Sequence, residues 1–161
     1  MRKLTERDKK FLERAIELSR AGMKDGKGGP FGCVVVQGDT IVGEGSNMVT
    51  SSNDPTAHAE VVAIRNACTQ LGTYQLDDCE VYTSCEPCPM CLGAIYWARP
   101  KKVVYANTRL EAAAIEFDDE FIYEQINAPM DERKIPFIHY PHPMAKEVFD
   151  QWKNWEGKKP Y

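Results

Sequence analysis

Two β-branched runs separated by a two-residue turn signal set the architecture. Cys33-Val34-Val35-Val36-Gln37 and Thr40-Ile41-Val42-Gly43-Glu44 flank Gly38-Asp39, and that spacing predicts a β-hairpin. Ahead of it, Phe11, Leu12, Ala15, Ile16, Leu18 and Ser19 recur at helical spacing, so residues 5–24 read as an amphipathic helix. After it the pattern alternates. Asp54 and Pro55 predict a helix over 55–71 that Gly72 ends, 80–84 a strand, 90–98 a helix stopped by Pro100, and 102–105 a strand. A hairpin followed by alternating α and β is the pattern of a layered α/β sandwich.

Beyond Asn107 the signal weakens: 111–115 and 119–126 read as short helices, 136–140 as a strand, 144–155 as a terminal helix and 156–161 as an extended tail. With 161 residues, 43% of them hydrophobic and 27% charged, one domain with one core is expected. A net charge of −4 and a pI near 5.4 argue against a large phosphate-binding surface and favour a small uncharged ligand over nucleic acid. No apolar run approaches a membrane span and the first ten residues lack a secretory core, so a soluble, cytoplasmic protein is expected. Reduced thiols follow for the six cysteines, of which Cys33, Cys68 and Cys79 lie in apolar patterns that read as core.

Two segments carry chemistry: Pro55-Thr56-Ala57-His58-Ala59-Glu60 and Ser84-Cys85-Glu86-Pro87-Cys88-Pro89-Met90-Cys91. Together they resemble the His-x-Glu and Pro-Cys-x-x-Cys signature of zinc deaminases. The residue types make chemical sense. Zinc takes imidazole nitrogen and thiolate sulfur in tetrahedral geometry, and three protein ligands leave the fourth position open. Cys88 and Cys91, three apart at a predicted helix start, share one face where unpaired N–H groups favour thiolates. His58 and Glu60 are two apart, so serving one site requires a place in a helix's first turn. Glu60 as a fourth ligand would fill the open position, and it is better suited to moving protons between water, ring nitrogen and leaving amine.

Duller readings compete. A structural zinc knuckle would need Cys85 as fourth ligand and would leave Glu60 without a role. An iron–sulfur site begun by Cys85, Cys88 and Cys91 lacks its fourth cysteine, that position being Ile95. A non-catalytic, zinc-stabilised binding domain stays open as an alternative to an enzyme.

The resemblance extends further. Gly28 to Gly32, Thr50 to Glu60, Tyr74 to Asp78, Tyr82 to Pro100, Phe117 to Tyr123 and the terminal Tyr161 are similar to the cytidine deaminase-like superfamily, and within it to the bacterial guanine deaminases. The tRNA adenosine deaminases share the segments around His58 and Cys88 and form the main alternative.

The resemblance implies a three-layer α/β/α sandwich with a five-stranded mixed sheet and hydrolysis of guanine to xanthine and ammonia. It implies one zinc ion per subunit, held by His58, Cys88 and Cys91, with Glu60 and Asp119 as catalytic groups. Asn47, the Ala59 backbone N–H, Phe31, Trp97 and Tyr161 would contact the purine base. A homodimer is expected, with 144–161 covering the site of the same or the partner subunit. The competing readings make Phe31 and Trp97 core residues and Asp119 a helix cap.

Overall fold

A computed structural model describes residues 3–161, which divide into two compact units, one ending at Asp119 and the other Glu120–Tyr161. The first unit opens with α1 (Glu6–Lys24). Thr5 starts it: its hydroxyl accepts from the Asp8 N–H, and the Asp8 carboxylate accepts from the Thr5 N–H. That reciprocal pair satisfies two donors a helix start leaves open. Phe11, Ala15, Ser19 and Gly22, spaced by three or four, form its buried stripe.

The expected hairpin follows as β1 (Gly32–Gln37) and β2 (Thr40–Ser46), with Gly38 turning the chain at φ 58° and a bulge at Val35/Val36. Next come α2 (Val49–Ser52), α3 (Ala59–Leu71), β3 (Cys79–Cys85), α4 (Pro89–Ala98), β4 (Lys102–Asn107) and α5 (Arg109–Ala113). The sheet order is β2-β1-β3-β4; β1 pairs antiparallel with β2 and β3, whereas β3 and β4 run parallel through the α4 crossover.

Strand alternation splits the core in two. Val34, Val36, Tyr82 and Val104 meet Phe11 of α1, while Cys33, Val35, Val42 and Val81 meet Ala59, Ala63 and Ala67 of α3 and Ala98 of α4. The result is α1, sheet, then α3 with α4: the three layers that the sequence implied. Val34, Val35, Val36 and Val81 are wholly buried, and each such burial is worth about 1.5–3 kcal/mol. Gly43 and Gly45 let α3 lie directly on β2, because a Cβ at either would strike the α3 backbone at Ala59, Ala63 or Ala67. Close packing there brings the start of α3 down to the sheet.

Two expectations are corrected. The sheet has four strands among the described residues, not five, and residues 136–140 form no strand. A β-rich run becomes a strand only by pairing; this one pairs with no other strand, and Ile138 is 89% exposed. The helix predicted from residue 55 starts at Ala59. Asp54 instead accepts from the Thr56 N–H and hydroxyl at 2.8 and 2.7 Å, which closes a turn rather than capping a helix.

The second unit comprises α6 (Glu120–Asn127), a 3₁₀ turn at Met130–Glu132, α7 (Pro143–Asn154) and the tail to Tyr161. Neither helix buries a residue. No helix among the described residues is long and apolar enough to cross a membrane.

Candidate active site

Two helix starts meet beside β3. His58 is the N-cap of α3 and Cys88 the N-cap of α4, both with extended backbone; Pro89 takes the first helical position, and Cys91 follows one turn after Cys88. His58 Nδ1 lies 3.5 Å from Cys88 Sγ and 3.5 Å from Cys91 Sγ, and the three donor atoms lie within 4.8 Å of one another. A tetrahedral zinc ion at about 2.0–2.1 Å from nitrogen and 2.3 Å from sulfur requires an N···S separation of about 3.5 Å. The donor set fits that ion in kind and in spacing. Cys85 stands apart: it ends β3 with Sγ 3.7 Å from the Thr108 carbonyl and is not one of the grouped donors. Neither the knuckle nor the iron–sulfur reading gains its extra ligand.

The thiols behave as a pair. Cys88 is held down to about 4, first by the hydrogen bond with Cys91 and then by His58, against burial. Cys91 is pushed well up by that same bond, by burial and by Glu60. A second thiolate here needs a cation beside it, which is what a metal dication offers. His58 is raised, first by its bond to Cys88.

Glu60, the second residue of α3, is 5% exposed, and burial raises its carboxyl above the usual range. Its Oε1 accepts from Thr83 Oγ1 at 2.8 Å, and its Oε2 accepts from Cys91 Sγ at 3.3 Å. One carboxylate oxygen therefore faces the sheet and the other faces the metal ligands. Ala59, fully buried, is the first residue of α3, where a helix leaves its N–H unpaired.

Asn47 is 5% exposed, and its Oδ1 accepts from the Gly29 and Val49 N–H groups at 3.3 and 3.2 Å. Gly28 must be glycine for this, since a Cβ would strike Asn47. Phe31, half-buried, meets Phe117 edge-on with ring centroids 4.9 Å apart. Asp119 is half-buried; burial and then the negative charge of Cys88 raise its carboxyl, which places it in the electrostatic field of the thiols. Trp97 lies in α4 and is 62% exposed, so it is not core. Tyr161 belongs to the other unit, where it is exposed.

The family model for the cytidine and deoxycytidylate deaminase zinc-binding region matches residues 5–107. Guanine deaminase of Bacillus subtilis (strain 168) is 58% identical over 151 residues, 94% of this chain and 97% of the relative. The X-ray structure of guanine deaminase from Bacillus subtilis superposes with a TM-score of 0.93 at 55% identity, covering 98% of this chain and 99% of that one. The tRNA-specific adenosine deaminase of Aquifex aeolicus (strain VF5) is 29% identical over 142 residues, 88% and 91% of the two chains. The chain belongs to the zinc-binding deaminase family.

For a deaminase of this family, three supporting residues escaped the sequence reading. Thr83 bonds Glu60; Ser84 accepts from the Gly32 N–H at 3.0 Å; and Glu86 accepts from the Arg109 N–H at 3.0 Å while its own N–H reaches the Asn107 carbonyl at 2.8 Å. Ser84 and Glu86 lie in the motif that holds Cys88 and Thr83 directly precedes it, but only the fold reveals their partners. A donor trio that leaves one tetrahedral position open, beside a carboxylate shielded from bulk water, suits hydrolysis at a polar carbon.

Proposed function

We propose that the protein is a zinc-dependent guanine deaminase, converting guanine and water to xanthine and ammonia. The observation that carries the chemistry is Glu60: buried, tied to Thr83 through one oxygen, and turned toward the ligand trio with the other. The choice of base rests on the 58% identity to the Bacillus subtilis relative, which extends over 94% of the chain and is twice that to the Aquifex aeolicus relative.

His58, Cys88 and Cys91 would hold the zinc ion, one per chain in this reading. When bound, the metal supplies Lewis acidity that brings the pKa of a water molecule down to about 7. Glu60 accepts a proton as the bond from water oxygen to purine C2 forms. It passes that proton to the ring nitrogen, then takes the proton of the new C2 hydroxyl and delivers it to the amine as the C2–N bond breaks and C2=O forms. Asp119 assists at the amine.

Asn47 holds the base through its amide nitrogen, because its oxygen is taken by two backbone N–H groups. The Ala59 N–H binds an exocyclic group, and Phe31 and Trp97 wall the ring.

We further infer a cytoplasmic homodimer in which the C-terminal segment, ending in Tyr161, covers a site of the same or the partner subunit. Supporting the dimer, Phe137, Ile138, Tyr140, Phe149, Trp155 and Tyr161 are 57–89% exposed within one chain. Exposed apolar surface on that scale marks an interface. Sedimentation should give twice the chain mass.

Incubating the zinc-loaded protein with guanine and following the ultraviolet spectrum tests the activity: guanine absorbance gives way to that of xanthine, with ammonia released in equal amount. Absence of xanthine overturns the proposal, and inosine formation in a tRNA anticodon hairpin instead would transfer it to the tRNA adenosine reading.

A further inference from the structure

We infer that Thr83 is a positioning residue of the reaction: its hydroxyl pins the Glu60 carboxylate so that Oε2, rather than Oε1, is the oxygen that handles protons. The inference rests on the reading of Glu60 as the proton carrier.

Position 83 is set by the sheet. Thr83 sits on β3 opposite Cys33 of β1 and beside Tyr105 of β4, and it is 1% exposed. Strand alternation puts it on the same face as Val81, the face that α3 covers. Its hydroxyl therefore meets the start of α3, where Glu60 lies, at 2.8 Å. The same hydroxyl stands 3.4 Å from the Gly32 carbonyl, a longer and weaker alternative acceptor.

A glutamate has three side-chain torsions, and at the first turn of a helix several rotamers are open to it. Burial alone does not choose among them. The Thr83 hydroxyl does, because its proton needs an acceptor at a position that is 1% exposed, and a carboxylate accepts about twice as strongly as a neutral carbonyl. With Oε1 engaged, Oε2 is left 3.3 Å from Cys91 Sγ, on the side of the metal ligands. Thr83 lies 23 positions from Glu60 in the chain and touches none of the three donors in the hydrogen bonds described, so its route to the ligand trio runs through Glu60.

The decisive substitution is Thr83→Val, which keeps the β-branched shape and removes the hydroxyl; Thr83→Ser restores the hydroxyl. For Thr83→Val we expect kcat to fall about 10–100-fold, within the range general acid–base catalysis supplies. KM for guanine, affinity for the product xanthine by calorimetry, and zinc content by metal analysis should stay within twofold, and Thr83→Ser should recover most of the loss. A Thr83→Val enzyme with kcat within twofold of the parent overturns the inference, as does one that loses zinc in step with activity. Should the valine variant not fold, Thr83→Ala against Thr83→Ser makes the same comparison of a site with and without the hydroxyl.

Glu60→Gln, run alongside, separates the two claims. If it stays active, the reading of Glu60 falls. If it is inactive with zinc retained while Thr83→Val is fully active, only the positioning inference falls.

Discussion

Tyr82 and Thr83 are neighbours on β3, yet their hydroxyls serve two unlike clusters of charged groups on opposite faces of the sheet. On the α1 face the charges balance. Tyr82 Oη lies 2.7 Å from Asp8 Oδ1 and 2.7 Å from Glu80 Oε2; Lys102 Nζ pairs with Asp8 at 2.6 Å and Glu80 at 3.4 Å; and Arg7 pairs with Glu80 at 2.5 Å. Two cations meet these two carboxylates, Arg7 also reaching the exposed Asp39 at 2.8 Å, and every buried side-chain polar atom described has a partner. On the α3 face, Cys88, Cys91 and Glu60 gather around His58, and Asp119 feels the negative charge of Cys88 with Arg109 opposing it. The first cluster is complete as the chain folds. The second sets two thiols and a buried carboxylate around one imidazole, and a site of that composition is one built to bind a cation and to perturb protons.

The contrast predicts its own largest test. Stripping zinc with a chelator removes the missing cation from one face and nothing from the other. Turnover should vanish and return with added zinc. A ligand present at 1,000 times its Kd contributes about 4 kcal/mol, on the order of 10 °C in Tm for a chain of this size. An unchanged melting curve after chelation would show that the α3-face cluster is balanced without a metal, and the comparison would break.

What could be read from the chain follows the same division. The hairpin, α1 and the alternation after it are local patterns, and they fold as the residues suggest. The metal trio was legible because its members belong to two short motifs with fixed spacing. Partnerships across elements left no local trace: Asp8 meets Lys102 across 94 positions, and Thr83 reads in sequence only as a β-branched strand residue. The start of α3 was misplaced because Asp54 is as good a turn residue as a helix cap, and the nearby Thr56 hydroxyl decides between the two. Residues 136–140 have strand composition, but composition does not supply a pairing edge.

Asp8→Asn tests the balanced face at an intermediate magnitude. Lys102, then the Thr5 backbone and the Tyr82 hydroxyl, hold the Asp8 carboxyl well below the usual carboxylate range. Removing a buried, paired charge should cost about 2–3 kcal/mol in denaturant unfolding at pH 7. Because the folded value is depressed, the stabilisation is complete above about pH 5. It drains away as pH falls below the unfolded value near 3.9 toward the lowered folded one. The gap between parent and variant should therefore be narrower at pH 3 than at pH 7. A gap that widens in acid would mean the carboxylate charge is not its source.

The smallest effect is the sharpest. Tyr82→Phe removes one hydroxyl and keeps a fully buried ring in place beside Phe11, 5.5 Å between centroids. Asp8 retains Lys102 and Thr5, and Glu80 retains Arg7 and Lys102, so no buried charge is orphaned. The cost should be about 1 kcal/mol, or about 2–4 °C in Tm, with kcat unchanged. Thr83→Val, one residue along, should lower kcat as well as Tm, because the buried Glu60 Oε1 loses its partner at a cost of about 1–3 kcal/mol. Both substitutions delete a buried hydroxyl bonded to a carboxylate on the same strand, so strand propensity and burial are nearly matched between them. What differs is the face, and a loss of turnover in Tyr82→Phe would show that the sheet transmits one cluster's geometry to the other.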